Sequence, residues 1–337
     1  MVVSASAPTR VDLAGGTLDI FPLYVFEDGG ITVNCAIELR SYVKIKTLKG
    51  KRLSLYSKDL KVRRTFKDIS SLKLGGRLDF LVRIIRFYQP KVGLEITTFN
   101  TAPLGSGLGA SSSLLIALSG ALNYLNKNKL SKEQVIDIGA NLEAQAIEIP
   151  TGKQDYYAAM YGGINAIWFN LDGNYLEPLV VSKRALKELE ERIILSFTGV
   201  SHFSGTNNWN MLKAYIDKNG NTVKGMRRIK QTTLKMRDCL KNFDLPAMGK
   251  TLEEEWGNRK NLARGVTNAR IDKLMLKAKK SGVLSSKICG AGGGGCMISL
   301  VKKGKREKVI ETLKKNGAKV LDFKVARQGL VVRGERR

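Results

Sequence analysis

The stretch PLGSGLGASSS, at residues 103–113, sets a proline and three alternating glycines directly before a strongly apolar segment. Apolar side chains from Leu114 to Leu125 recur at helical spacing, so the pattern predicts a helix that opens on Ser111–Ser113. Glycine lacks a β-carbon, so the backbone N–H groups of such a loop can approach an anion closely. The helix N-terminus adds unpaired donors and a positive dipole end. The stretch therefore predicts a phosphate-binding loop.

Other interpretations of this loop compete with that one. A flexible turn is the simplest, but three glycines at alternate positions make it less favourable. A dinucleotide-binding loop is the second, because Gly105, Gly107 and Ala110 satisfy GxGxxA. Such a loop expects an acidic residue about 20 residues later, where this chain is still helical in pattern and rich in Lys and Asn. A P-loop is excluded, since no GxxxxGK followed by Ser or Thr occurs in the chain.

The rest of the chain predicts an α+β fold with separated layers. Five stretches before the loop have strand patterns: VVSASAPTRVDL, ITVNCAIEL, SYVKIKTL, RLSLYS and VGLEITTF. Residues 78–88 read as a helix, and a second helix opens at a Ser131/Gln134 capping box and ends at Pro150 and Gly152. Residues 206–280 read as mainly helical. The last stretch reads as strand, glycine-rich turn, strand, helix and strand.

Length and composition indicate a globular protein of two domains. The chain has 337 residues, of which 43% are hydrophobic, and we place the boundary near residues 183–191, giving domains 1–187 and 188–337. No apolar run approaches the roughly 20 residues of a membrane span, and the start MVVSASAPTR does not resemble a signal peptide. We therefore expect a cytoplasmic protein without a membrane partner. The four cysteines form no CxxC pair and predict neither zinc binding nor disulfides.

The chain is strongly basic, with 57 Lys and Arg against 30 Asp and Glu and a net charge of +27. Such a charge attracts polyanions. The basic residues are spread through segments such as 223–237 and 302–315, without a recognisable nucleic-acid motif or aromatic stacking cluster. We expect no specific nucleic-acid partner, and any nucleic-acid binding should be weak, sequence-independent and sensitive to salt. The oligomeric state is left open.

Three motifs together resemble the GHMP superfamily of small-molecule kinases. PLGSGLGASS resembles its second motif, SAPTRVDLAGGTLD at 6–19 is similar to the first, and KICGAGGGGCMISL at 287–300 is similar to the third. Within that superfamily, GKQDYYAAMYGGINA at 152–166 and LEEEWGNRKNL at 252–262 most resemble the bacterial D-glycero-D-manno-heptose 7-phosphate kinases. Where that subfamily usually shows GGGTDL, this chain has GGTLDI at 15–20.

The resemblance implies a fold and an activity. The implied fold is a ribosomal protein S5 domain 2-like N-terminal domain and a ferredoxin-like C-terminal domain, with ATP and substrate in the cleft between them. The implied activity is the ATP-dependent phosphorylation of a hydroxyl on a sugar or sugar phosphate. Galactokinase-type, mevalonate-type and homoserine-type kinases are the alternatives within the superfamily. A nucleotide-sensing regulator without turnover is the alternative outside catalysis.

The resemblance also assigns roles to residues. Asp155 matches the catalytic aspartate, and Arg10 matches the basic residue that would stabilise it and the developing charge. The implied Mg²⁺ ligands are Ser111 and Glu143, with Glu148 as the rival carboxylate. The implied substrate contacts are Asp19, Gly15, Gly16, Gly292 and Gly293. The implied ATP contacts are Pro103, Gly105, Ser106, Gly107, Leu108, Gly109, Ala110, Ser111 and Ser112.

Considered without the resemblance, these residue types allow simpler interpretations. Asp155 fits a helix N-terminal acid, Arg10 a surface salt bridge, and Ser111 an N-cap. Glycines 292–295 fit a turn between strands, although four in a row exceed what a turn requires. Lys153 lies near Asp155 in sequence and could attract phosphate, whereas the single histidine, His202, is expected to be structural.

Overall fold

The computed structural model describes residues 1–127, 130–201 and 204–335, with the backbone alone for residue 204. Its framework is a pair of long antiparallel strands, β1 (Val2–Ala14) and β2 (Gly30–Leu48). The short helix α1 (Leu23–Phe26) lies between them in sequence. The two strands predicted from ITVNCAIEL and SYVKIKTL are thus one continuous strand. The register between β1 and β2 shifts between Pro8 and Thr9. Beyond such a bulge, the residues that pointed to one face of the sheet are followed by residues of the opposite numbering, odd or even, on that face.

Eight strands form the first sheet, in the order β12-β1-β2-β5-β3-β4, with β6 pairing to β2 and β7 to β6. The charged strand β4 was not predicted from the sequence, and β12 closes the sheet on β1. The strands not yet given are β3 (Leu53–Ser57), β4 (Val62–Phe66), β5 (Gly93–Asn100), β6 (Ile164–Asn170), β7 (Gly173–Pro178) and β12 (Val331–Glu335).

Four helices pack on one face of the first sheet: α2 (Asp79–Tyr88), α3 (Ala110–Asn126), α4 (Lys132–Ile147) and α5 (Gln154–Tyr161). Helix α3 is the central one and contacts β1, β2, β5 and β12. It begins at Ala110 with Gly109 as its N-cap, one residue earlier than predicted, so Ser111 is not the cap. The predicted capping box of α4 is present, but that helix ends at Ile147 because Glu148 adopts a left-handed conformation.

The second sheet has four antiparallel strands in the order β11-β8-β10-β9. The fold is therefore mixed α and β with segregated layers, as the sequence predicts. The strands are β8 (Ile193–Phe197), β9 (Val283–Ile288), β10 (Cys296–Val301) and β11 (Lys319–Leu321). The helices of this half are α6 (Lys183–Arg192), α7 (Ser204–Ile216), α8 (Gly220–Lys241), α9 (Leu245–Arg259), α10 (Ala269–Ser281) and α11 (Arg306–Lys315).

Helices α8 and α9 join the two halves. They pack on the first half of β2 and the second half of β1, opposite to the face that α5 covers, and share one apolar core with the second sheet. The second sheet starts at Ile193, close to the predicted boundary, but the chain returns to the first sheet at β12. The division at 187/188 stays a prediction, and its C-terminal part includes this returning strand.

Two sequence expectations concern properties of the whole chain. Across the described ranges, no helix has the length and apolar content to cross a membrane, and the cytoplasmic location stays a prediction. The cysteines are free thiols, as expected; Cys35, Cys289 and Cys296 are buried and Cys239 is partly exposed.

Candidate active site

A pocket of about 570 Å³ lies where the glycine loop meets the second half of the molecule. Its walls come from the glycine loop and the start of α3, the loop after β1, the C-terminal end of α4, the start of α5, and the loop between β9 and β10, with further residues from α2 and α7. The pocket-lining residues that the sequence predicts are Arg10, Gly16, Asp19, Gly105, Ser106, Gly107, Leu108, Gly109, Ala110, Ser111, Ser112, Glu143 and Asp155. Residues far apart in sequence therefore meet at one cavity.

The glycine loop needs glycine for close packing as well as for its backbone conformation. Gly107 and Gly109 have φ of 70° and 71°, a region that other residues rarely adopt. A β-carbon on Gly109 would lie 2.6 Å from an Asp155 carboxylate oxygen, and one on Gly107 would lie 2.7 Å from the carbonyl oxygen of Cys289. The backbone at the start of α3 therefore runs directly beside Asp155, where its N–H groups can face an anion.

Arg10 and Asp155 form a largely buried ion pair at the base of the pocket. The Arg10 Nε–H donates to Asp155 Oδ1 at 2.7 Å, and Nη2 lies 2.6 Å from the same oxygen. The remaining guanidinium nitrogen, Nη1, donates to the carbonyl of Gly107 at 2.7 Å. Their side chains are 6% and 19% exposed, so Asp155 is the member of the pair that faces the pocket. The surface salt bridge considered for Arg10 is therefore wrong.

Burial raises the pKa of Asp155 to about 6, with the Asp19 and Glu143 carboxylates adding to the rise and Arg10 opposing it. Near neutral pH the carboxylate is ionised and still basic enough to accept a proton. Such a pKa near the working pH is what a general base requires. Asp155 also lies in the first turn of α5, where a carboxylate is favoured by the helix dipole.

Glu143 lies on the buried face of α4 and receives three hydroxyl donors. Ser112 Oγ–H donates to its Oε2 at 2.8 Å, and Ser111 and Tyr156 also donate to this carboxylate. Burial, followed by the nearby Glu143 charge, holds the pKa of Tyr156 well above its ordinary value, so the phenol remains a donor. Glu148 is exposed and does not line the pocket.

Ser111 and Glu143 fit a magnesium site because both offer hard oxygen ligands at the pocket wall, beside the loop suited to phosphate. No group of three or more His, Cys, Asp or Glu side chains that could hold a metal occurs within the described part of the chain. Magnesium does not require such a group, since phosphate oxygens and water complete its shell.

Asp19, in the loop after β1, and Gln154, at the start of α5, both line the pocket. Asp19 is 2% exposed; its Oδ1 accepts from Thr17 N–H and its Oδ2 from Gln154 N–H, each at 3.0 Å. Burial raises the pKa of Asp19 above its ordinary value. The side-chain oxygen of Gln154 is buried and has no hydrogen-bond partner among the described residues. This wall therefore offers an acceptor to a hydroxyl-bearing ligand.

The second glycine loop, at residues 289–295, touches the pocket through Gly290 and Ala291. Gly292 and Gly293, for which a substrate contact is predicted, do not line it. The backbone turns away after Ala291, and Gly293 N–H donates to the carbonyl of Val266 at 2.7 Å. Gly15 and Pro103 also lie outside the pocket lining, whereas Gly16 belongs to it.

A buried network of four charged side chains was missed by the sequence analysis. Lys287 contacts the Asp12 carboxylate and lies 3.6 Å from Glu255, which in turn accepts from Arg259 at 2.7 Å. All four are fully buried. Arg259 also donates to the carbonyl of Gly16 at 2.7 Å, and Asp12 accepts from the Gly290 N–H at 2.8 Å.

The sequence did contain signals for this network. Glu255 and Arg259 stand four residues apart in LEEEWGNRKNL, and Asp12 and Lys287 belong to the first and third motifs. Because charged side chains are usually exposed to solvent, the sequence alone did not indicate that these four are buried. Lys153 forms a salt bridge with Asp137 at 2.7 Å instead of facing the pocket, and His202 lies outside the described residues.

Comparisons with known proteins agree with this arrangement. The GHMP kinases N terminal domain matches residues 79–163, and the GHMP kinases C terminal domain matches residues 236–319. D-glycero-alpha-D-manno-heptose 7-phosphate kinase from Campylobacter jejuni is 27% identical over 334 residues, covering 97% of this chain and 98% of that protein. Mevalonate kinase from Pyrococcus furiosus is 25% identical and covers 98% of each.

Among solved structures, a D-glycero-D-manno-heptose 1-phosphate kinase from Bacteroides thetaiotaomicron superposes with a TM-score of 0.81 at 26% identity. The alignment covers 99% of this chain and 100% of that one. The likeness therefore includes both halves of the molecule and the cleft between them.

The raised pKa of Asp155 predicts a pH dependence of stability. The native carboxyl has a pKa of about 6, against about 3.9 in an unfolded chain. The native state therefore binds more protons between these values. The stabilising contribution is fully present below the unfolded pKa and is lost as the pH rises through the folded pKa.

Between pH 4 and pH 7, this residue should lower the free energy of unfolding by about 2 kcal/mol. Urea unfolding of the wild type and of Asp155→Asn across that range measures the effect. The variant should lack this part of the decrease in the free energy of unfolding. If the free energies of the two proteins change with pH in parallel, the pKa of Asp155 is not raised.

Proposed function

The chain belongs to the GHMP kinase family, and we propose that it transfers the γ-phosphoryl group of ATP to a hydroxyl of a heptose phosphate. The observation that carries the proposal is the buried Arg10–Asp155 pair, which contacts the glycine loop at the wall of one pocket. Phosphoryl transfer to an alcohol requires an aligned hydroxyl, a group that accepts its proton, and positive charge or N–H donors around the phosphates. Each requirement has candidate residues here.

The glycine loop and the start of α3 are the proposed phosphate site. The N–H groups of residues 107–112 would face the phosphates, because the positive φ values of Gly107 and Gly109 turn the backbone at this point. Ser111 and Glu143 would hold Mg²⁺, which neutralises phosphate charge when bound. Ala110 has no side-chain hydroxyl, so a phosphate contact there would come from its backbone.

The sugar would lie on the opposite side, near Gly16, Asp19 and Gln154. Asp19 accepts from two backbone N–H groups and so holds the loop after β1 against the start of α5. The unpaired oxygen of Gln154 can accept from a sugar hydroxyl. A sugar ring also fits the polar character of this wall better than an apolar acid would.

Asp155 would accept the proton of the attacking hydroxyl. Its pKa of about 6 leaves it ionised near neutrality, and Arg10 fixes its orientation through Oδ1. Its other carboxylate oxygen, Oδ2, lies on the side of the glycine loop, next to Gly109. The proposed proton acceptor therefore lies next to the proposed phosphate site.

The heptose phosphate assignment rests on the relatives, two of which carry that substrate class in their names. Those names differ in the phosphate position, so the hydroxyl that receives the phosphate is a separate question from the class of sugar. A mevalonate kinase also aligns over the whole chain, and mevalonate therefore belongs in the same test.

An ADP-release assay tests the proposal. D-glycero-D-manno-heptose 7-phosphate, the free heptose, galactose and mevalonate are offered with ATP and Mg²⁺. We expect turnover with the heptose phosphate at the highest kcat/KM. Asp155→Asn should lower kcat about a hundredfold or more while ATP still binds, because the change keeps the size of the side chain and removes proton acceptance.

The matched control is Asp172→Asn, an exposed carboxylate between β6 and β7, which should retain full activity. Preference for mevalonate or galactose would reject the heptose phosphate assignment. Near-normal turnover of Asp155→Asn would remove this residue from the chemistry. Nucleotide binding without turnover of any acceptor would favour a regulator.

A second prediction concerns the metal. Ser111→Ala and Glu143→Gln should each raise the Mg²⁺ concentration needed for half-maximal activity, about tenfold or more, because both supply ligands to one ion. Glu148→Gln, at the C-cap of the same helix, is the matched control and should leave the Mg²⁺ dependence unchanged. If Glu148→Gln alone alters it, the carboxylate ligand lies about one helical turn further along.

A further inference from the structure

One half of the first sheet has a face that no described helix covers. Helices α2–α5 pack on the opposite face, and α8 and α9 cover the other half, around residues 30–37 of β2. The open face is formed by alternate residues of six adjacent strands, whose side chains are at least partly exposed. They are Ser4, Ser6, Tyr42, Lys44, Lys46, Tyr56, Arg63, Glu95, Thr97, Phe99, Val331 and Arg333.

Aromatic side chains form the centre of this open face. Tyr42 and Phe99 are directly opposite each other in the β2/β5 register, and each is 42% exposed. Their ring centroids lie 6.4 Å apart with planes 25° apart. Tyr56 lies on the neighbouring strand β3, where the Arg63 guanidinium stands 4.8 Å from its ring centroid. The rings leave π-surface available to a ligand.

Cations surround the aromatic rings. Lys44 and Lys46 follow Tyr42 on the same face of β2, Arg63 lies at one edge, and Arg333 lies on β12 at the other. Glu95 and Glu335 are the carboxylates on this face, and Glu95 lies 3.9 Å from Arg63. Among the described residues, Lys44, Lys46 and Arg333 have no carboxylate within salt-bridge distance.

A groove of about 720 Å³ continues this face along the segment before β12. Tyr42, Arg40 and Arg333 line one wall, and Lys324 and Arg327 line the other. Arg40 is 7% exposed and its guanidinium donates to backbone carbonyls of the 328–329 turn, so it shapes the groove. The carboxylates in the lining are Glu38 and Glu190, the second of which accepts from the Val325 N–H.

We propose that this open face and its groove bind single-stranded nucleic acid. A basic track beside aromatic rings is the combination that holds unpaired bases by stacking while the phosphates follow the cations. The net charge of +27 adds long-range attraction for a polyanion. A duplex hides its base faces and could use the cations alone. An acidic peptide would gain less from the rings than unpaired bases do.

The proposal is independent of the kinase pocket and does not require sequence specificity. None of Tyr42, Lys44, Lys46, Phe99 and Arg333 lines the catalytic pocket. Stacking tolerates every base, so the binding expected here is non-specific in sequence. An aromatic cluster is not apparent in the sequence, because Tyr42 and Phe99 become neighbours through strand pairing.

Fluorescence anisotropy with labelled 20-nucleotide oligo(dT), oligo(rU) and a 20-base-pair duplex tests the proposal on the full chain. We expect the single strands to bind more tightly than the duplex. Tyr42→Ala and Phe99→Ala should each weaken single-strand binding by about fivefold to a hundredfold, as expected for loss of one base–aromatic contact. Tyr175→Ala, another exposed and stacked tyrosine, is the matched control and should bind as the wild type does.

A charge-matched pair of triple variants separates this surface from net charge. Lys44→Gln/Lys46→Gln/Arg333→Gln should lower the slope of log affinity against log salt by about 2, since each phosphate contact on a single strand contributes about 0.7. Lys273→Gln/Lys280→Gln/Lys303→Gln removes the same charge from exposed positions elsewhere and should leave most of the slope. All variants should keep kinase activity and the wild-type unfolding midpoint.

Several outcomes would overturn the proposal. Equal losses from both triple variants would indicate attraction by net charge without a defined surface. Preference for the duplex, or unchanged affinity in both aromatic variants, would exclude stacking. Sedimentation that shows a dimer dissociated by Tyr42→Ala would assign the face to a second copy. Binding of a polyglutamate peptide with equal affinity and equal sensitivity to Tyr42→Ala would assign it to an acidic partner.

Discussion

The buried ammonium of Lys287 connects the two halves of the molecule, and the shape of the pocket depends on it. It bridges the carboxylates of Asp12 on β1 and Glu255 on α9, and none of the three side chains is exposed. Removing one partner from such a group leaves an uncompensated buried charge, which costs far more than a surface ion pair contributes. Burial alone would raise the pKa of Asp12, but Lys287, Arg10 and Arg259 outweigh it and lower that pKa.

The same network fixes both loops that border the pocket. Asp12, in the first half, accepts a hydrogen bond from the Gly290 N–H of the second half, and Arg259, in the second half, donates to the Gly16 carbonyl of the first. Each half of the molecule therefore fixes a loop of the other half at the cleft. Arg10, two residues before Asp12 on β1, then reaches the glycine loop and Asp155. Preorganised charges of this kind cost no reorganisation during a reaction. Arg10 therefore fixes the position of Asp155, and the buried network fixes the loops beside it.

Much of the site could be predicted from sequence, because the glycine pattern marks one loop and the family resemblance points to Arg10, Asp155, Ser111 and Glu143. These residues and the glycine loop all line one cavity. Long-range placement could not be predicted in this way. Lys287 meets Asp12 across 275 positions of sequence, and a lysine in a strand pattern reads as exposed. In the third motif, spacing alone could not show that the loop turns away after Ala291. Likewise, the charged residues of β4 hide the apolar alternation that would have predicted a strand there.

The pH dependence of kcat/KM for phosphoryl transfer tests most directly whether the buried Asp155 carboxylate accepts the substrate proton. Protonation removes that capacity, so activity should fall as the pH drops through about 6, the pKa that burial gives this group. A profile that remains flat down to pH 5 would contradict the assignment, because a carboxyl with a raised pKa could not then be the proton acceptor.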